Sequence, residues 1–144
     1  MDYPFEPWSP EAIAYAVGLF EGEGTVGLMR YGKRDHAYLR IEFQMTDREP
    51  LEMFRHAIGQ TGGVKGPYKR HPDPRVGIQG RKDTYRVTVR GGFAVQRRVL
   101  EAFWPFLSPR RRDQVSRAIA GVRLGDQTHP MSQTMRAARQ SPAP

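Results

Sequence analysis

A chain of 144 residues suits a single domain, and the absence of cysteine excludes disulfide scaffolds and thiolate zinc sites. The formal charge of +8 is unevenly spread: residues 1–29 hold five acids and no lysine or arginine, so all 23 basic residues fall within residues 30–144. A basic body of this kind attracts polyanions and neutralises phosphates, which points to nucleic acid as the partner.

The four histidines, His36, His56, His71 and His129, show no metal-ligand spacing, so any metal is expected on oxygen donors. The N-terminal MDYPFEPW lacks the basic start and apolar run of a signal peptide, and no stretch reaches the ~20 apolar residues of a membrane span. The expectation is a soluble intracellular protein, cytoplasmic in a bacterium or a phage-infected cell. Arginine outnumbers lysine, which suits bidentate contacts to phosphate or guanine; a GC-rich genome produces the same bias and is the weightier reading.

Ser9 followed by Pro10 starts a helix, with the hydroxyl capping free amides and proline where its missing N–H costs nothing. This helix is expected from Pro10 to about Gly22. Ile13, Val17 and Phe20 form its apolar stripe, while Ala14, Gly18 and Gly22 recur every four residues on another face. Small side chains there allow close approach of a second helix, either from a second copy or from elsewhere in the chain.

Thr25 to Tyr31 reads as a strand and Tyr31 to His36 as a polar turn. Leu39, Ile41, Phe43 and Met45 then alternate with Tyr38, Arg40, Glu42, Gln44 and Thr46, the clearest period-2 pattern in the chain. Thr46 and Glu49 read as a capping box ahead of a second helix with Leu51, Phe54 and Ile58 buried, ending near Gly59. Val64 to Arg70 is a short strand weakened by Pro67, and a Pro/Gly-rich loop runs from His71 to Asp83. In the next strand Tyr85, Val87 and Val89 are expected inward, with Thr84, Arg86, Thr88 and Arg90 outward. A third helix is expected over Phe93 to Trp104. A fourth starts at Ser108–Pro109, buries Val115, Ala118, Ile119 and Val122, and stops at Gly125. The order predicts an α+β fold: a four-stranded antiparallel sheet with helices on one face, one domain over residues 1–125 and a flexible tail over 126–144.

Residues 16–24, AVGLFEGEG, resemble the signature helix of the LAGLIDADG homing endonucleases. The FQMT strand end (43–46), the PFLSPRRR segment (105–112) and the αββαββα order are similar to the same family, over roughly Ser9 to Leu124. The resemblance implies a saddle-shaped sheet over DNA in a single-motif homodimer, with the two motif helices packed through Ala14, Gly18 and Gly22. It also implies hydrolysis of both strands of a long, roughly palindromic site with short 3′ overhangs, by a protein encoded in an intron, intein or phage mobile element. A single chain offers one reaction centre, so cutting two strands calls for two copies.

By position, the resemblance makes Glu23 the metal-binding acid beside Gly22, where most members have aspartate, and Glu21 a support for the helix end. Two such helix ends and their carboxylates repel unless divalent cations lie between them, which makes Mg2+ the implied cofactor. Mn2+ is a plausible substitute, and Ca2+ is expected to bind without supporting cleavage. Gln44 is implied to orient water. Arg110 and Arg112 are implied near the scissile phosphate, with the choice among Arg110, Arg111 and Arg112 open. All three occupy a first helical turn, where the dipole disfavours cations by roughly 0.3–1 kcal/mol each, a choice that suggests an external anion. DNA reading is expected from Arg30, Lys33, Arg34, Tyr38, Arg40, Glu42, Lys65, Lys69, Arg86, Thr88 and Arg90. The same fold without cleavage, as an RNA maturase or a DNA-binding regulator, is the alternative.

Overall fold

Two serine–proline steps start helices where local chemistry says they should. In the computed structural model, which describes residues 2–30, 37–69, 75 and 82–122, helix α1 spans Pro10–Glu23 and helix α4 spans Pro109–Ala120. The Ser9 hydroxyl accepts from the Ala12 amide at 3.1 Å, and the Ser108 hydroxyl from the Arg111 amide at 3.3 Å. Between them lie strands β1 (Gly24–Arg30) and β2 (Ala37–Met45), helix α2 (Glu49–Ala57), strands β3 (Lys65–Tyr68) and β4 (Thr84–Thr88), and helix α3 (Gly92–Phe103). A 3-10 turn over Trp104–Phe106 follows α3.

Several strand ends shift by a residue or two from expectation, and two helix boundaries also differ. The Thr46/Glu49 capping box does not form, because α2 begins at Glu49 with Arg48 at the cap position and no side-chain cap bond. Pro50 accounts for this: proline is tolerated only in a first turn, so it pins the helix start beside itself. Helix α4 ends at Ala120, short of Gly125; Gly125, the 126–144 tail, the 31–36 turn and most of the 71–83 loop lie outside the described residues.

The strands form an antiparallel sheet in the order β1-β2-β4-β3. Leu39, Ile41 and Phe43, with Val87 and Val89, are buried on the side that the helices cover. Phe20, Phe43, Phe54 and Phe103 meet at the centre with ring centroids 4.1–6.3 Å apart. Each is fully buried, a gain of about 1.5–3 kcal/mol per side chain. On α1 the buried residues are Ala12, Ala16, Val17 and Phe20, with Ile13 half-buried at the margin of the expected stripe. Among the described residues the fold is α+β, with four α-helices and a four-stranded antiparallel sheet, as the sequence predicts.

Glycine at position 24 is required by space. Its backbone is extended (φ −78°, ψ 152°), yet a Cβ there would stand 2.5 Å from Phe20 Cδ2. Helix and strand therefore join without a spacer, and Glu23 sits at the corner.

Candidate functional site

The C-terminal end of α1 and the N-terminal end of α4 cap each other. Glu21 accepts from the Ser108 amide at 2.5 Å through Oε1 and from the Ser108 hydroxyl at 3.0 Å through Oε2. A carboxylate at a helix N-terminus is favoured by both its free amides and its dipole. In return Arg111 donates through Nη2 to the carbonyls of Glu21 (3.1 Å) and Gly24 (2.7 Å), and through Nη1 to Gln114 Oε1 (3.1 Å). Its guanidinium lies 4.9 Å from the Phe20 ring centroid, and the residue is 7% exposed. Burial and the neighbouring Arg110 hold the Arg111 guanidinium below the usual arginine value, while Glu21 acts in the opposite direction. The cation that the α4 dipole disfavours is thus explained, for Arg111, by the carbonyl end of another helix rather than by an external anion.

Arg112 is also committed internally. Its Nε and Nη2 donate to the carbonyls of Trp104 and Pro105, each at 3.1 Å, and its guanidinium lies 5.4 Å from the centre of a Trp104 ring. Two of its donors are thus turned to the chain's own backbone. Arg110 is exposed, and no partner among the described residues engages it.

Glu23, two residues beyond Glu21, is exposed and has no partner among the described residues. Ala14, Gly18 and Gly22 are exposed along α1, and a Cβ added at Gly18 or Gly22 would meet nothing within 4 Å. The chain's own described helices therefore do not cover this face. A free carboxylate on a helix end is a hard oxygen donor of the kind Mg2+ takes. Among the described residues, however, no cluster of three or more His, Asp, Glu or Cys forms, so Glu23 offers part of a metal site rather than a whole one.

The register brings Gln44 close to this corner, since Gly24 pairs with Phe43 and Gln44 follows on β2. Gln44 is exposed on the polar side of the sheet, where its Nε2 donates to Thr84 Oγ1 at 3.0 Å. Thr84, expected outward and open, is only 2% exposed; it is covered at the point where β3 pairs with β4.

The polar side of the sheet centres on Glu42. Its Oε2 accepts from the Thr88 hydroxyl at 3.2 Å and is ion-paired with Arg40 Nε at 3.0 Å, and its Oε1 is ion-paired with Arg86 Nε at 3.5 Å. Arg86 also stacks over Tyr68, 5.2 Å from the ring centroid. Tyr38, Lys65 and Lys69 are exposed nearby in sequence and register. Tyr68, 40% exposed, was not among the expected contacts; its signal was weak because Pro67 obscures the alternation of a four-residue strand.

Two expected readers lie elsewhere. Arg30 shares the helix-side parity of Val26 and Leu28, because the register pairs all three with the buried Ala37, Ile41 and Leu39 of β2. Arg90 lies past β4, its backbone held by Gln60 at 2.6 and 3.1 Å. With Trp8, Gln60 and Arg98 it lines a cavity of about 510 Å3, apart from the Glu42 cluster. Lys33 and Arg34 lie outside the described residues.

Among the described residues no helix is long and apolar enough to cross a membrane. No protein-family model and no curated protein matches this chain. Among solved structures it is similar to the group I intron-encoded homing endonuclease I-CeuI complexed with DNA, with a TM-score of 0.51 and 16% identity. The likeness covers 91% of this chain and 64% of that one, so this chain spans less than two thirds of that neighbour's length. At this identity the likeness establishes a shared homing-endonuclease-like α+β fold.

Proposed function

We propose that this protein is a metal-dependent, site-specific DNA endonuclease of LAGLIDADG type that acts as a homodimer on a long, roughly palindromic site. The observation that carries this reading is the split between Glu21 and Glu23: the first is consumed inside the fold, while the second is exposed and, among the described residues, unpaired, beside an Ala14/Gly18/Gly22 face that none of the described helices covers. A second copy packed on that face brings its own Glu23 to the same place and completes the oxygen donor set. Magnesium bound there would supply Lewis-acid activation of water and stabilise the leaving oxygen. Gln44 positions polar groups at the adjoining strand, and Arg110 is the arginine of its turn available to a phosphate.

The polar side of the sheet, rich in arginine and lysine, supports double-stranded DNA as the substrate, as does the fold shared with a DNA-bound endonuclease. Carriage in an intron, intein or phage element belongs to the same reading. The test is to incubate the purified protein and Mg2+ with a plasmid library of candidate sites, with Glu23→Gln as control. Double-strand cleavage is expected from the wild type and is expected to vanish in the variant. Tight binding without any cutting would favour the maturase or regulator instead. Sedimentation of the DNA complex checks the dimer, and a single copy on cleaved DNA would overturn it.

A further inference from the structure

An acid in the middle of a surface that meets phosphates calls for an explanation, because it repels the ligand. Glu42 is such an acid, with a side chain 16% exposed and both oxygens occupied. Arg40 and Arg86 each approach it through Nε, one at each oxygen. Among the described residues the contacts of both arginines with Glu42 run through Nε, and no hydrogen-bond partner engages the Nη1/Nη2 edge of either. Arg86 is held from a second side by the Tyr68 ring, and its Nε is buried without a hydrogen bond. Opposite Arg40, on β1, stands Gly27, where an added Cβ would meet nothing within 4 Å, so that flank is open.

A guanidinium held on its Nε side by an ion pair turns its planar Nη1/Nη2 fork away from the carboxylate, and that fork matches O6 and N7 of guanine in the major groove. Sharing one carboxylate also weakens the field of both cations, which suits a phosphate clamp poorly and a base reader well. We infer that Glu42 is a positioning residue that holds Arg40 and Arg86 as two guanine readers, so that each half-site carries two guanines at fixed spacing. This rests on the DNA-binding reading above. Glu42 itself is not the reader, since the Thr88 hydroxyl and two guanidinium groups already surround its two oxygens.

The test is selection of bound sequences from a random double-stranded library by the full-length protein with Ca2+ in place of Mg2+, so that the acids are bridged and no strand is cut. The wild type is expected to enrich two guanines per half-site, each preferred about 5- to 150-fold over other bases. Arg40→Gln and Arg86→Gln should each erase one of the two preferences. Glu42→Gln should blunt both while leaving total affinity and its salt dependence nearly unchanged, and Glu42→Asp should restore part of the preference. Circular dichroism of each variant separates loss of orientation from loss of fold. Selection unchanged in Glu42→Gln, or a cytosine preference that only the Glu42 variants lose, overturns the inference while the DNA-binding reading stands. A wild type that retains no DNA overturns both.

Discussion

The α1–α4 junction and the polar side of the sheet use the same residue types to opposite ends. At the junction, charged groups are spent on the backbone: Glu21 on the first turn of α4, Arg111 on the last carbonyls of α1, Arg112 on the turn before α4. On the sheet, Glu42, Arg40 and Arg86 engage one another by a single edge each. The difference teaches that a charge becomes structural when helix termini lie within reach. On a strand the backbone groups are already paired across the ladder, so side chains there are left to each other and to a ligand.

Breaking the junction should have the largest effect on stability. Arg111→Met removes a buried cation from three acceptors and is expected to cost about 3 kcal/mol in urea denaturation, on the scale of charged hydrogen bonds. A loss under about 1 kcal/mol would show that the junction holds without it. Glu21→Gln keeps the shape but loses the charge facing the α4 terminus, for an expected loss of roughly 1–2 kcal/mol. Glu23→Gln sharpens the contrast: its stability should stay within about 0.5 kcal/mol of wild type, while Mg2+-dependent cleavage disappears, as it should when EDTA removes the metal. Arg110→Gln, the mildest change, should leave the melting curve in place and reduce the salt slope of DNA binding by about 1. A melting shift in Arg110→Gln as large as that of Arg111→Met would erase the distinction between the two neighbours.

The parts legible in the sequence were those whose causes are local. Ser9–Pro10 and Ser108–Pro109 mark helix starts because cap and proline act within one turn, and the Leu39/Ile41/Phe43 alternation marks β2 because the pleat has period 2. The α2 start was misplaced because Thr46 and Glu49 fit a local motif that Pro50 overrides. The duty of Arg111 was out of reach of local reading, since its partners Glu21 and Gly24 lie 90 and 87 residues away. Arg30 shows a third limit: its face is set by its pairing with the buried Ala37, and a register shifted by one residue would have reversed it. Glu23, by contrast, was visible from its place in the motif, and the structure adds that nothing among the described residues claims it.

The mutual capping at this junction has an entropic consequence. Helix ends ordinarily fray, and a carboxylate on the last residue ordinarily samples many positions. Here the carbonyls of Glu21 and Gly24, on either side of Glu23, are both tied to Arg111, so the backbone that carries Glu23 was ordered when the chain folded. A ligand meeting Glu23 therefore has little backbone freedom left to remove, and slow amide exchange through residues 20–24 is the signature by which that preorganisation is read.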